Sequence, residues 1–500
     1  MATETAVGSG LATQHSWVGG REVEGRGGLR TATNPATGEA IGQASLLDAA
    51  QAADAIAAAR AAFPAWSRTS FAERARLLDR WREAIVDEAD DIARLVEQEQ
   101  GKTAAEALVA EVLPSLEALK HLSEHGCDLL RDEPLEPGQL LLAHKRARLV
   151  YPPYGVILAI KPWNYPWGQS LPVLAAAIFA GNTVVLKPAP ATTLVGLRMG
   201  ALARKAGFPD GVVSVLAVDD GVAASLVEDP RVGKIVFTGS VAPGKKVMAA
   251  AAKNLTPVVL ELGGKDAAIV CRDADLEIAA RGIVWNAFMN AGQTCSSVER
   301  VYVERPVAEP FLAKVLDEAR RVRLKDAQGG GEVGPLTLER QRRVVEAHVK
   351  DAVAKGARVL LGGDRPSGPG LYYQPTVVVD VDHGMALMRE ETFGPVLPVM
   401  AVDSLDEAIR LANSTRFGLG ANVYTRDLAT AVRCMREIRA GTVWINDPLT
   451  DNDAGPFGGM KQSGFGRELG QEGLEAFQDT KHVHIETKIE LKDWWYPYGP

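Results

Sequence analysis

Residues 155–187 read GVILAIKPWNYPWGQSLPVLAAAIFAGNTVVLK. An apolar run, Gly155–Ile160, enters a loop rich in proline and aromatic residues. LPVLAAAIFA at 171–180 then shows helical spacing, and a second apolar run, Asn182–Leu186, follows a glycine. Continuous apolar runs of this length, punctuated by Pro and Gly, read as strands buried on both faces. The pattern continues through Val212–Leu216, Lys234–Phe237 and Pro257–Leu260, with helical stretches at 193–206, 221–227 and 244–253 between them. Strands alternating with helices predict a parallel α/β sheet. The alternation resumes over 262–446, which predicts a second α/β unit. Upstream, 48–66 and 71–130 read as amphipathic helices.

The chain has 500 residues, more than one ordinary domain. Apolar residues are 46% and charged residues 24%, which excludes a disordered, collagen-like or coiled-coil chain. Net charge is −8 with no polybasic block, so neither nucleic acid nor an anionic membrane is an expected partner. The longest apolar run, Leu171–Ala180, is about half of what a spanning helix needs. MATETAVGSG at the start lacks the basic and apolar regions of a signal peptide, and a cytoplasmic protein is expected. Four scattered cysteines (Cys127, Cys271, Cys295 and Cys434) suit neither a disulfide framework nor a zinc site, and no metal is expected.

Two segments stand apart. Residues 139–151 read as a strand pair or long ribbon, and 483–491 alternate like a strand. Their backbone groups need partners. Pairing across a subunit interface is the expectation, with pairing inside the chain as its alternative. The aromatic tail Trp494–Tyr498 is expected against a neighbouring subunit.

The chemistry concentrates at a few positions. No G-x-G-x-x-G follows a strand, but Phe237-Thr-Gly-Ser240 ends one and opens a helix, a turn whose N–H groups can hold a pyrophosphate. Cys295 sits among small and polar neighbours in NAGQTCSS, 290–297, where a thiol can meet a substrate, although most cysteines are simple core residues. Glu261 ends a strand, where α/β sites are built, and can serve as a general base or merely cap a helix. Asn164, held in PWNYP, is either an oxyanion donor or a turn residue bonded to its own backbone.

Taken together, PWNYP at 162–166, GNTVVLKPA at 181–189, FTGS at 237–240, LELGGK at 260–265, GQTC at 292–295, EETFGPV at 390–396 and PFGGMKQSGFGRELG at 456–470 resemble the NAD(P)-dependent aldehyde dehydrogenase superfamily. Their order and the 34-residue step from Glu261 to Cys295 fit it, and the resemblance covers essentially the whole chain. It implies an α/β fold with a Rossmann-type cofactor-binding domain (1–130 and 149–260), an α/β catalytic domain (261–458) and a small β-ribbon bridging domain (131–148 and 478–500) through which relatives form dimers or tetramers.

The resemblance also implies roles. Cys295 would attack the aldehyde, with Asn164 and the Cys295 N–H holding the oxyanion, and Glu261 would activate water to hydrolyse the thioester. A Glu at 261 implies water, not coenzyme A, as the acyl acceptor. The cofactor, NAD or NADP, would meet Trp163, Lys187, Thr238, Gly239, Ser240, Glu391 and Phe393. Two departures stand out. Strict NAD users often carry a Glu three residues after the lysine; here Pro190 brings no carboxylate, so NADP is admissible. Many relatives have a proton-relaying lysine where this chain has Val173.

The substrate tunnel would be lined by Tyr165, Gln169, Met289, Thr294, Thr450, Asp451 and Phe457. Asp447, Asp451 and Asp453 on one loop raise the idea of a cationic aldehyde, against a plain aliphatic or aromatic aldehyde as the default. Two readings from other classes remain. A cysteine esterase or hydrolase without a redox role needs an activating histidine, and none of the eight His lies in a recognised motif. A catalytically retired structural protein is opposed by the intact Cys295, Glu261 and Asn164.

Overall fold

A computed structural model describes residues 11–139, 142–326, 329–450, 452–492 and 495–497. Two large sheets dominate. The first has eight strands in the order Gly464–Phe465, Val258–Glu261, Val232–Thr238, Val156–Ile160, Thr183–Lys187, Val213–Val215, Ser16–Val18 and Arg21–Val23. Its five central strands are mutually parallel, and antiparallel strands close both edges. The apolar runs read from the sequence are these five strands, and every residue of Thr183–Lys187 and Val213–Val215 is buried. The helix Leu171–Phe179 is buried on nearly all sides, as an all-apolar helix must be.

The chain runs from Val156–Ile160 outward through Thr183–Lys187 to Val213–Val215, then returns to place Val232–Thr238 against the other side of Val156–Ile160. That reversal opens a crevice outside the carboxyl ends of the two strands. Pro162-Trp163-Asn164 and Thr238-Gly239-Ser240 stand there.

The second sheet has seven strands in the order Arg358–Leu361, Thr376–Val379, Val396–Val402, Val298–Glu304, Asp266–Val270, Gly420–Tyr424 and Thr442–Ile445. All its pairs but the first are parallel. Its core is separate from that of the first sheet. A small N-terminal sheet joins Thr13–Gln14, Ala40–Ser45 and Leu29–Thr33.

The ribbon differs from expectation. Only Arg146–Val150 of the 139–151 segment is strand, and residues 140 and 141 lie outside the described residues. It pairs antiparallel with Glu133–Leu135 on one side and Lys481–Ile485 on the other. The C-terminal strand and the ribbon therefore satisfy each other inside one chain, not across an interface. Strand pairing stops at Ile485 opposite Arg146, short of the expected 491, because the partner chain turns away there; Ile489 and Leu491 are exposed. Of the aromatic tail, Trp494 and Tyr498 lie outside the described residues, and Trp495 and Tyr496 are exposed.

Asn182, fully buried, stitches the first sheet to the C-terminal segment. Its side chain accepts from the Gly155 N–H (3.0 Å) and donates to the carbonyls of Ala177 (3.0 Å) and Phe477 (2.8 Å). Asn182→Ala strands these buried groups at about 1–3 kcal/mol each. A clear fall in Tm by calorimetry is expected; an unchanged Tm would mean that water replaces the amide.

Candidate active site

Three loops meet at one cavity of 1810 Å³. The first leaves the strand Val156–Ile160 as PWNYPWG. Buried Glu111 accepts from the N–H groups of Trp167 (2.9 Å) and Gly168 (2.6 Å), and Lys102 forms an ion pair with Glu111 at 3.0 Å. Lys102 also donates to the Asn164 carbonyl and lies 4.0 Å from the centre of the Tyr165 ring. A buried charge is tolerated only when paired and hydrogen-bonded, so this cluster fixes the loop.

The second loop carries Cys295. Asn290, Ala291 and Gly292 are successive left-handed residues, with φ of 53°, 56° and 70°. Asn290 anchors them: its amide donates to the carbonyls of Asn164 (2.9 Å) and Gln293 (3.1 Å), its side-chain oxygen accepts from Gln100 (2.9 Å), and its N–H bonds Glu106 (2.7 Å). The Asn164 amide donates to the Gln293 carbonyl at 3.0 Å. Cys295 is half-buried, with the Gln169 amide 3.9 Å from its Sγ. Gly264 packs so close that a Cβ there would lie 2.2 Å from the Cys295 carbonyl.

The third group comes from the strand end at Glu261, paired with Thr238 on one side and Gly464 on the other. Glu261 is 3% exposed; no hydrogen bond of normal geometry reaches its carboxyl oxygens among the described residues, and the Gly459 N–H lies near enough to favour the charged form. Burial pushes this carboxyl well above the usual range. The nearby Glu468 charge adds to the shift, and Lys161 opposes it. Lys161 itself is buried and donates to both Glu468 and Thr238 at 2.8 Å. Val173, at the position of the relatives' lysine, is an apolar part of the cavity wall.

The cavity continues along the strand ends to Lys187. Ser240 precedes the helix Val241–Ala251 without a side-chain cap, leaving that N-terminus to a ligand. Glu391 accepts from the Gly264 N–H at 2.9 Å, and burial raises its carboxyl to about 8. Phe393, at φ 50°, is held by its N–H bond to Glu299 (2.7 Å) and meets the Trp163 ring edge-on at 5.5 Å. An uncapped helix start, a buried lysine and a carboxylate spread along one groove fit a dinucleotide.

Asn164, Glu261, Cys295, Trp163, Lys187, Thr238, Gly239, Ser240, Glu391, Phe393, Tyr165, Gln169, Met289, Thr294, Thr450 and Phe457 all line this cavity. Tyr165 and Thr294 share a hydroxyl bond of 2.7 Å. Asp451 lies outside the described residues. Sequence reasoning missed three residues. Lys161 and Glu468 flank or sit inside the quoted motifs, and that adjacency was their only signal. Asp220, 3.3 Å from Lys187, supplies from another loop the carboxylate that Pro190 lacks. Cys127 is exposed, whereas Cys271 and Cys434 are buried in the core. No histidine lines the cavity among the described residues, which removes the partner that a cysteine hydrolase needs.

A sequence profile described as the Aldehyde dehydrogenase family matches residues 23–483. The chain is 38% identical over 476 residues to 3-sulfolactaldehyde dehydrogenase of Pseudomonas putida, covering 95% of this chain and 97% of that one. It is also 38% identical, over 90% of its length and 98% of the relative's, to the NADP(+) succinate-semialdehyde dehydrogenase 1 of Mycobacterium bovis. An aldehyde dehydrogenase of Bacillus cereus, solved as an NAD+ complex, superposes with a TM-score of 0.91 at 33% identity, covering 95% of this chain and 97% of that one. The chain belongs to the aldehyde dehydrogenase family. It is an oxidoreductase that oxidises an aldehyde with NAD or NADP.

The four cysteines should differ in reactivity. Burial pushes the thiols of Cys271 and Cys434 up to about 12 and about 11, and the thiolate is the nucleophile. Iodoacetamide on the native protein is expected to label Cys127 and Cys295 and to spare the other two in peptide mapping. Equal labelling of Cys434 would contradict this.

Proposed function

We propose that Cys295, Asn164 and Glu261 carry the oxidation of an aldehyde to its carboxylic acid. The observation behind this is their convergence, from three separate elements, on one cavity that runs on to the uncapped helix start. The Cys295 thiolate forms an S–C bond to the carbonyl carbon, and charge moves to the oxygen. One Asn164 amide hydrogen is committed to Gln293; the other, with the Cys295 N–H, holds the oxyanion. Bound NAD(P) supplies the acceptor for the hydride leaving that carbon. The thioester left on Sγ is cleaved by water as Glu261 takes its proton, and acid and thiolate part. Lys161 and Glu468, beside Glu261, stand in for the lysine replaced by Val173 and pass the proton onward.

Residues 1–130 with 149–260 form the dinucleotide-binding unit in this reading, and 261–458 the unit that carries the nucleophile. The outer edges of the three-stranded sheet, with exposed Leu135 and Ile485, support assembly into a homo-oligomer through 131–148 and 478–500. A working thiolate supports a reducing, cytoplasmic setting. No helix among the described residues is long and apolar enough to cross a membrane.

Cys295→Ser abolishes turnover. Glu261→Gln retains the first burst of reduced cofactor but lowers steady-state kcat about 100-fold or more. In the parent enzyme kcat rises with pH, because a carboxyl held well above its usual range accepts a proton only once ionised. A flat profile, or a Glu261→Gln variant with normal kcat, would remove Glu261 from deacylation.

Asp220 beside Lys187 disfavours a 2′-phosphate and so favours NAD. Asp220→Asn is expected to shift both the Kd ratio, read by fluorescence quenching, and the kcat/KM ratio at least fivefold toward NADP. Unmoved ratios would show that Asp220 does not face the ribose.

A further inference from the structure

The half of the cavity beyond Cys295, away from Lys187, has an unusual wall. The chain around Leu108–Val112 is a π-helical turn, a feature that concentrates at functional sites. It turns Glu111 inward to the PWNYPWG backbone while Val109 and Leu113 face the cavity. Val109 is 64%, Leu113 50% and Trp285 48% exposed, and all three line this one cavity together with Leu449. Large apolar side chains left open to water and gathered at a mouth mark a binding surface for an apolar ligand. Deeper in, Tyr165, Met289 and Phe457 continue the apolar lining toward Cys295.

The described lining of this mouth carries two carboxylates and no lysine or arginine. Glu117 and Asp453 line it. Burial pushes the Asp453 carboxyl up; Glu117 adds to that and His121 opposes it, so the two carboxylates feel one another. The cationic residues lining the cavity among the described residues are Lys161, Lys187, Lys246 and Arg340. The first two are paired with Glu468 and Asp220 at strand ends of the first sheet. Lys246 lies on the helix Val241–Ala251, and Arg340 adjoins Gln341, which donates to the Thr392 carbonyl beside Phe393. All four sit on the dinucleotide side, and no lysine or arginine among the described residues lines the mouth to receive a substrate carboxylate.

We propose that this enzyme takes an uncharged, apolar aldehyde whose hydrocarbon body lies between Val109, Leu113, Trp285 and Leu449, and that Glu117 and Asp453 exclude aldehydes carrying a carboxylate. The inference rests on the reading that Cys295 oxidises aldehydes in this cavity. It parts the chain from the relatives named above, whose names specify acidic aldehydes. An apolar wall without a counter-ion gives a carboxylate nothing in exchange for the hydration it loses on binding, and like charge at the entrance slows its arrival.

Hexanal, succinic semialdehyde and betaine aldehyde have the same number of non-hydrogen atoms and differ in charge. With saturating NAD or NADP, kcat/KM for hexanal is expected to exceed both others at least tenfold. Succinic semialdehyde or betaine aldehyde matching hexanal overturns the proposal. Oxidation of none of the three, with either cofactor, overturns the aldehyde-oxidising reading beneath it. In Glu117→Gln/Asp453→Asn, the ratio of kcat/KM for succinic semialdehyde over hexanal should rise at least threefold; an unmoved ratio removes the carboxylates as the excluding groups. Trp285→Ala should raise KM for hexanal at least five times more than for acetaldehyde, which is too short to reach the mouth. Equal increases would show that Trp285 only supports the fold.

Discussion

The Asn164 carbonyl oxygen is where the two halves of the site are joined. It accepts from Asn290, at the turn before the nucleophile, and from Lys102, buried beneath the PWNYPWG loop. The first sheet supplies the acceptor, and the loop leading into the second sheet supplies one donor. Asn290 and Ala291 are held left-handed, a conformation costing roughly 1–2 kcal/mol per non-glycine residue. Bonds to Gln100, Glu106, Gln293 and Asn164 offset that strain. Strain held in place by its surroundings is common where a chemical group must be aimed; here it sets Cys295 against Asn164.

The electrostatics follow from the same enclosure. Glu261, within the LELGGK segment, and Glu391, packed against its glycines, are both buried and both pushed up. They differ in their bonding. Glu391 accepts from Gly264 and is confined by Gly263, whose Cβ would approach its oxygens to 2.4 Å. Glu261 is also crowded, by Gly458, but has only the weaker approach of the Gly459 N–H, which leaves its oxygens open to a water. In the proposed mechanism one carboxyl holds a ligand and the other exchanges a proton.

Much of this was legible in the sequence because it is local. Apolar runs bounded by Pro and Gly located the central strands, strand ends located Glu261 and Thr238, and the resemblance of the motifs located Lys187. What escaped is non-local. Lys161 meets Glu468 across 307 residues, and Asp220 reaches Lys187 from a different strand-to-helix loop. The alternation in 483–491 satisfies a strand pattern along its whole length, yet a strand lasts only as far as its partner, and Arg146–Val150 ends the pairing at Ile485. Cys127 reads like a helix core residue, but its turn of the helix Leu113–Leu129 faces water. Periodicity reports that a helix has an apolar face without saying which residue the neighbouring layer covers.

The Lys161–Glu468 pair also bears on how the protein is made. Lys161 leaves the ribosome 307 residues before the carboxylate that neutralises it. At about 5–20 residues per second, that interval is about 15–60 s. Once made, the strand Val258–Glu261 also lacks its edge partner Gly464–Phe465 until the end of that interval. A nascent chain that buries this lysine before Glu468 arrives incurs a desolvation penalty that Glu261 alone offsets only in part, which disfavours closing the crevice until the last strand is made. The order of translation thus favours closing the corner that holds Lys161 and Glu468 last.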